Sequence, residues 1–486
     1  MPAKYVNLKR CFIKTYGCQM NEHDSQKMNL LLHRLGYETV DAPEKADLIL
    51  FNTCTIREKA YHKAISEIGR SAIFKKCRPQ TLIGVCGCVA QQDGIKLAER
   101  YPHIDMVFGP DQINKLPNLI RKIRSSSPRP SPIKGEGDIG SPPTLEGEGG
   151  GEGGFERLAV ALDLINTPDE YNFLNDVPDK VESGCAFVTV TKGCNCSCTY
   201  CIVPSVRGKE VSRAADDIID EVRKLVRAGL KEVTLLGQNV TSYNPPTPPL
   251  EKGGKRGLTG LIKRLADETD ILRIRFTSPN PRDVDEELIR EFAENPKLCP
   301  HIHLPVQSGC NEVLKKMRRG YTREGYLEIV KLLREVRSGI SITSDFIAGF
   351  PGETETQFEE TIDLLKQVQF DSIFAFKYSQ RPGTKAAIEF DDSVPVDVKE
   401  ARLERVLSTQ RKITCAKNEA LVGQIRELLV TGYDRKNTGR LMGRLADNRI
   451  VNFAGNINLL GSIVRIRVRR ALANSLEGEI IHDNNP

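Results

Sequence analysis

The chain has 486 residues, 39% of them hydrophobic, with a net charge of +6 and 14 cysteines. No apolar run approaches the ~20 residues of a membrane-crossing helix, and the charged start MPAKYVNLKRCFIKTYGC lacks an apolar export core, so a membrane or secreted protein is set aside. So many thiols in a chain expected to be cytoplasmic point to metal or catalytic chemistry, and the mild positive charge permits a polyanionic partner without requiring one.

Residues 1–124 alternate strand and helix patterns. Strands are predicted at Cys11–Tyr16, Ala46–Phe51, Thr81–Val85 and Met106–Phe108, giving a small parallel α/β domain. A cysteine follows each of the first three: Cys18 in TYGCQMN, Cys54 in FNTCTIRE and Cys88 in GVCGCVAQQ. Loops at the carboxyl edge of an open parallel sheet converge on one crevice, so these thiols are expected to meet at one rim. Cys86 competes with Cys88 but lies too close to its strand. Taken singly, each cysteine reads equally well as a small buried hydrophobe.

Residues 125–154 and 245–257 are almost wholly Pro, Gly, Ser and charge. Such composition buries too little apolar surface to offset chain entropy, so the first is predicted to be a disordered linker and the second a disordered surface insertion. Residues 181–400 carry six β-rich runs: Ala186–Thr191, Glu232–Leu236, Ile271–Phe276, His301–Pro305, Ser341–Ile347 and Ser372–Tyr378. Helices fit between them, for example Asp216–Ala228 and Thr356–Gln367. Six such units make a partial parallel (β/α)6 barrel, whose chemistry gathers at the C-terminal strand ends.

Just after the first of these runs comes Cys194-Asn-Cys-Ser-Cys198-Thr-Tyr-Cys201. Read as Cys-x3-Cys-x2-Cys, it supplies three thiolates, one fewer than a closed zinc or iron–sulfur site takes, which leaves a metal position open to a small molecule. A zinc site completed by Cys196 or a distant cysteine is the competing reading.

A helix over about 400–420 leads into short strands at Gln424–Val430, Gly439–Ala446, Ile450–Phe453 and Ile463–Val468. They predict a small β-barrel within 415–480, with the polar tail after about Ala471 expected to fray. Arg465, Arg467 and Arg469 alternate onto one face, and Arg435, Lys436, Arg440, Arg444 and Arg449 are expected to extend it into a phosphate-binding surface.

With Tyr200 before its last cysteine, the Cys194–Cys201 segment resembles the signature of radical S-adenosylmethionine (SAM) enzymes. TYGCQMN, FNTC followed by Arg57, GC-V-AQ, GCNCSCTYCIVPSVRGKEVSR, LLGQNV, RFTSPNP, HLPVQSG, MRRGYTRE, DFIAGFPGET and YSQRPGT together resemble the methylthiotransferases of that superfamily, over most of the chain outside the two inserts. The C-terminal segment resembles a TRAM domain, an OB-like RNA-binding module. The resemblance implies two [4Fe–4S] clusters facing one another across a domain junction. One is held by Cys194, Cys198 and Cys201 and chelates SAM through its open iron; an auxiliary one is held by Cys18, Cys54 and Cys88 and carries or donates sulfur.

It also implies SAM contacts from Tyr200, Gly237, Gln238, Asn239, Gln307, Asp345, Gly349 and Glu353, although strand-ending turns explain several of these equally well. Arg207 and Arg213 face either SAM and substrate or solvent. Cys196 and Cys310 depart from the family pattern and are expected to be bystanders. No catalytic residue is expected beyond the cluster ligands. The wording GCQMNEHDS and CTYCIVP resembles the branch that methylthiolates C2 of N6-isopentenyl-adenosine at position 37, in the tRNA anticodon loop. Branches acting on threonylcarbamoyl-adenosine tRNA or a ribosomal protein are the alternatives, as is a zinc-stabilised RNA-binding scaffold without catalysis. The expected form is a monomer served by a reducing electron donor and a sulfur source.

Overall fold

The computed structural model describes residues 8–56, 58–125, 158–165, 167–245, 257–434 and 439–481, in two compact units, Met1–Ile165 and Asn166–Pro486. The two low-complexity segments lie almost wholly outside the described residues, as do Arg57, Arg435 and Lys436.

The first unit is a six-stranded parallel sheet. Its strands are β1 (Lys9–Thr15), β2 (Tyr37–Thr39), β3 (Leu48–Thr53), β4 (Leu82–Gly87), β5 (Met106–Phe108) and β6 (Ala159–Ala161), ordered β2-β1-β3-β4-β5-β6. Every residue of β3 and β4 is buried, the continuous pattern of a parallel strand covered on both faces. Ile49, Phe51, Ile83, Val85 and Val107 form one core with Ala64 and Ile68 of the helix Glu58–Arg70. The unit runs beyond residue 124: β6 joins β5 with Met106 opposite Ala159. β2 and β6, three residues each, are too short to show a period in sequence.

The second unit holds the partial barrel and a small closed barrel. Six parallel strands form two arcs of three. β7 (Cys185–Thr189) is followed by a two-residue antiparallel pair, β8 (Thr191–Lys192) with β9 (Val211–Ser212). Next come β10 (Glu232–Leu236) and β11 (Arg273–Phe276), giving the arc β11-β10-β7. β12 (His301–His303), β13 (Ser341–Ala348) and β14 (Ser372–Lys377) make the second arc. Among the described residues, an isolated bridge joins Ile274 of β11 to Leu298, in the segment just before β12. Val233, Leu235, Ile274, Ile302 and Ile342 face outward into one core with the surrounding helices. The helix Glu355–Val368 starts where the sequence places it because Thr354 and Gln357 close a reciprocal capping box.

The helix Val396–Glu419 leads into the closed barrel of β15 (Ile425–Tyr433), β16 (Leu441–Leu445), β17 (Ile450–Phe453), β18 (Ile463–Ala471) and β19 (Leu476–Ile480), ordered β15-β16-β17-β19-β18. The tail expected to fray is therefore a strand. β19 pairs antiparallel with β18 and parallel with β17, and so closes the barrel. Its sequence LEGEI hides this, because only Leu476 points fully into the core.

Candidate metal centre

The cysteine-rich segment is a loop pinched at its base. β8 and β9 clamp its two ends, with Lys192 opposite Val211. Gly193 has φ +74°, and a Cβ there would collide with the Lys209 carbonyl oxygen and stand 2.7 Å from that of Gly208. Only glycine allows this crossing. The Cys194 amide donates to the Gly208 carbonyl at 3.2 Å and the Cys201 amide to the Cys198 carbonyl at 3.2 Å, which turns the chain so that three thiols lie within eight residues. The loop is further tied by the Gly193 amide, which donates to Gln238 Oε1 at 2.5 Å.

Burial pushes the Cys201 thiol up to about 11. Cys194 is raised by its hydrogen bond to the Cys196 sulfur and by burial. Cys196 is drawn down, first by that same bond and also by Asn280 and Arg282. Its sulfur accepts from Asn280 Nδ2 at 3.5 Å, Arg282 Nη2 at 3.7 Å and Asn239 Nδ2 at 3.8 Å. Three side-chain N–H groups thus converge on the partly exposed Cys196 sulfur.

The other expected cofactor residues surround the same strand ends, and several of their polar atoms are already engaged. A Cβ on Gly237 would stand 2.5 Å from Thr191 Cγ2. Asn239 donates to Asp283 Oδ2 at 2.7 Å and accepts from the Asn280 amide at 3.2 Å. Gln307 takes φ +72° and bridges backbone to backbone, donating to the Asp345 carbonyl and accepting from the Ile347 amide, each at 2.9 Å. Glu353 accepts from the Gly349 amide at 2.7 Å and from Arg402 at 3.1 Å, while burial raises its carboxyl to about 7. Tyr200 is half-buried, its oxygen 3.4 Å from Arg319 Nη1.

Asp345 keeps a partly exposed carboxylate, 3.4 Å from His303 Nε2, on the inner face of its arc. Phe374 and Phe376 stand on that face beside it, 52% and 40% exposed, with the Phe374 ring edge-on to His303. Sequence reasoning misses this aromatic pair, although the alternation of Ile373 and Ala375 into the core is a signal for it. Arg213 is turned into the core rather than to solvent: it is buried on Glu221 at 2.8 Å and also donates to Asn175 and the Thr189 carbonyl.

The N-terminal thiols are gathered differently. Cys18 caps the helix Gln19–Arg34 after β1, Cys54 directly follows β3, and Cys88 opens the helix Cys88–Asp93 after β4. Because β1, β3 and β4 are adjacent and parallel, all three lie at one carboxyl edge. Gly17 has φ +119°, and a Cβ there would overlap Cys54 Cβ and stand 2.8 Å from its Sγ. Gly87 similarly abuts Asn52 and Thr53.

Below the edge, Asn21 Nδ2 donates to Asn52 Oδ1 at 3.1 Å and to the Thr53 carbonyl at 2.8 Å. Asn52 Nδ2 returns to the Asn21 carbonyl at 2.8 Å and to Ser25 at 2.9 Å. Cys18 Sγ donates to Asn21 Oδ1 at 3.5 Å. Cys86 instead lies within β4, against Met28 Sδ and the Phe51 carbonyl, and burial holds its thiol well up. Among the described residues, no three His, Cys, Asp or Glu side chains already surround one point in coordinating fashion. What fits an iron–sulfur group is the donor chemistry: one set of three thiols brought to a sheet edge by strand order and one held in a single loop, each beside a glycine with no room for a side chain.

The arginines of the closed barrel divide. Arg465 and Arg469 are exposed on β18, Arg469 paired with Glu479, and Arg467 is half-buried beside them; Arg440 pairs with Glu477 at 2.9 Å. Arg444 and Arg449 turn toward the partial barrel: Arg444 faces the buried Glu232 at 3.9 Å, and Arg449 meets Asp371 at 2.5 Å. The β16–β17 turn plugs the partial barrel's N-terminal end. Arg275 donates to the Leu445 carbonyl at 2.8 Å, and Asn448 Nδ2 lies 3.3 Å from His301 Nε2.

Three family models match: the radical SAM superfamily over residues 188–365, the uncharacterized protein family UPF0004 over 10–109, and the TRAM domain over 419–481. The tRNA-2-methylthio-N(6)-dimethylallyladenosine synthase of Geobacter sulfurreducens is 43% identical over 477 residues, 98% of each chain. Those of Myxococcus xanthus and Thiobacillus denitrificans are 43% and 41% identical, covering 97% and 98% of this chain and 94% and 98% of theirs. Among solved structures, the radical SAM methyltransferase TsrM of Kitasatospora setae superposes with a TM-score of 0.52 at 16% identity, over 78% of this chain and 75% of that one, a likeness of fold. At this identity over nearly the full length, the chain belongs to the tRNA-2-methylthio-N(6)-dimethylallyladenosine synthase family of radical SAM proteins.

Proposed function

We propose that this chain transfers a methylthio group to C2 of N6-isopentenyl-adenosine at position 37 of tRNA, giving the 2-methylthio derivative. The observation that carries this reading is the pair of three-thiol sites within a full-length match to the synthase family. Cys194, Cys198 and Cys201 would hold one [4Fe–4S] cluster, and Cys18, Cys54 and Cys88 a second. When bound, these groups supply the electron that cleaves SAM to a 5′-deoxyadenosyl radical and the site from which sulfur is delivered, SAM also being the methyl source.

The chain's own residues position and shield. Gln238 and the β8–β9 clamp fix the cysteine loop. Asp345, with Gln307 and Gly349 beside it, supports SAM at the strand ends. Phe374 and Phe376 give the inner face an aromatic wall suited to a splayed, prenylated base. Arg465, Arg467 and Arg469 would take phosphates of the anticodon arm, a sequence-independent contribution. No described helix is long and apolar enough to cross a membrane. A reducing electron donor and a sulfur source complete the cycle, and the chain is taken as a cytoplasmic monomer.

The test is the modified-nucleoside profile of tRNA from cells with and without the protein. The 2-methylthio-isopentenyl nucleoside should vanish on deletion and return with the intact chain. Unchanged content would move the substrate to another nucleoside or a ribosomal protein. Anaerobically reconstituted protein should carry about eight irons.

A further inference from the structure

Arg319 lies in a tight turn between Arg318 (φ +56°) and Gly320 (φ +75°), after the helix Asn311–Lys316. Its side chain is folded inward and the residue is only 8% exposed. Nη1 donates to Cys198 Sγ at 3.2 Å and to Tyr200 Oη at 3.4 Å. Nη2 donates to the Pro305 carbonyl at 3.2 Å, and Nε to Tyr321 Oη at 2.9 Å. The guanidinium lies 5.4 Å from the centre of the Tyr321 ring, and the Tyr321 hydroxyl is oriented by the Pro305 and Val306 carbonyls.

Arg213, Arg275 and Arg402, comparably buried, each meet a carboxylate at 2.8, 2.8 and 3.1 Å. Among the described residues, no carboxylate stands within ion-pair distance of Arg319; its polar partners are a sulfur, two phenol oxygens and a carbonyl. A buried cation without a counter-charge is costly, and of these partners the sulfur is the one that gains full anionic character when it ligates iron.

We propose that Arg319 is a positioning residue for the barrel's iron–sulfur group, serving as its resident counter-cation and setting its reduction potential through the N–H···S bond to Cys198. This rests on the reading of Cys194, Cys198 and Cys201 as cluster ligands. Hydrogen bonds to cluster sulfurs and nearby positive charge favour the reduced, more negative form, so the bond eases uptake of the electron needed for SAM cleavage. Tyr200 and Tyr321 hold the guanidinium at the correct angle and leave it no other charged partner.

The test uses the full-length chain, reconstituted anaerobically, with Cys18, Cys54 and Cys88 changed to Ala so that one cluster reports. Wild-type Arg319, R319Q and R319K are compared by iron content and by spectroscopic redox titration. R319Q should keep its iron yet show a reduced fraction at least tenfold lower at a fixed potential, about 59 mV for a one-electron couple. R319K should recover most of that shift. An R319Q potential within twofold of the parent in reduced fraction overturns the proposal. So does loss of iron from both variants, which would make Arg319 a structural residue only. Iron missing from the parent itself, with Arg319 intact, sinks the cluster reading instead, so the two failures are told apart.

Discussion

The two cysteine trios reach the same count by opposite routes. Cys194, Cys198 and Cys201 lie in one loop, clamped by β8 and β9 and crossed at Gly193, so eight residues and one clamp decide their geometry. Cys18, Cys54 and Cys88 span 71 positions of sequence, and only the order β1-β3-β4 brings them to one edge. The first site is written in local spacing; the second is a property of the fold. A loop site is expected to survive modest loosening of the sheet around it, whereas a rim site registers any slip between strands as a displaced thiol.

The largest effect comes from removing either trio. Cys→Ala at all three positions of one trio should halve the iron, from about eight to about four, and abolish methylthiolation. The variants then separate: without Cys18, Cys54 and Cys88 the protein should still cleave SAM, and without Cys194, Cys198 and Cys201 it should not. Product analysis for 5′-deoxyadenosine makes the distinction, and cleavage that survives loss of the barrel trio would break the comparison.

Next are the glycines that enable each route. Gly17→Ala sets a side chain against Cys54 at a φ that disfavours it, and should destabilise the first unit by about 1–3 kcal/mol while stripping its iron alone. Gly193→Ala should do the converse, with the barrel iron lost and the N-terminal iron kept. Equal loss of both sets from either variant, read by iron analysis and thermal unfolding, would erase the claimed independence.

A smaller contrast concerns acid. At the rim, Cys18 bonds to the uncharged amide of Asn21, itself paired with Asn52, but the floor beneath the barrel contains His301. Burial, followed by the neighbouring Arg275, His303, Arg444 and Arg449, holds the His301 imidazole well below its usual range. Its folded pKa is depressed, so stability is full above the unfolded value near 6.5 and falls as pH drops below it, by up to about 1.4 kcal/mol per pH unit. H301Q should flatten this acid limb in thermal melts between roughly pH 6.5 and 5. An unchanged slope would remove His301 as its source.

The smallest expected change is on the closed barrel. Replacing Arg465, Arg467 and Arg469 singly by Ala should weaken tRNA binding modestly and reduce the salt slope by about one for each phosphate no longer neutralised. SAM cleavage in the absence of tRNA should stay as it is. A constant slope would exclude β18 as the phosphate-binding face.

The contrast also explains what was legible in sequence. The barrel trio needed only spacing, and the rim trio needed only strands recognisable from apolar runs such as LILFNT and LIGVCG. The long parallel strands and the helices flanking them followed from period. β19 did not: LEGEI carries one fully buried side chain, and its partners, β17 and β18, supply the order that its own residues lack. Arg444 and Arg449 read as surface charge because nothing local reports that Glu232 and Asp371, some 212 and 78 residues earlier, wait for them. Arg319 sat in plain view within MRRGYTRE, but only its inward fold onto Cys198 distinguishes it from Arg318, which pairs with Glu389 on the surface.

The carboxylates of β19 have a further consequence. Glu477 holds Arg440 and Arg470, and Glu479 holds Arg469, before any nucleic acid arrives. On the proposed reading, a phosphate that captures one of these arginines trades places with a glutamate and leaves that anion bare beside the RNA. Such exchange would weaken the hold of each arginine and keep the grip shallow, so that a finished tRNA would be released rather than retained.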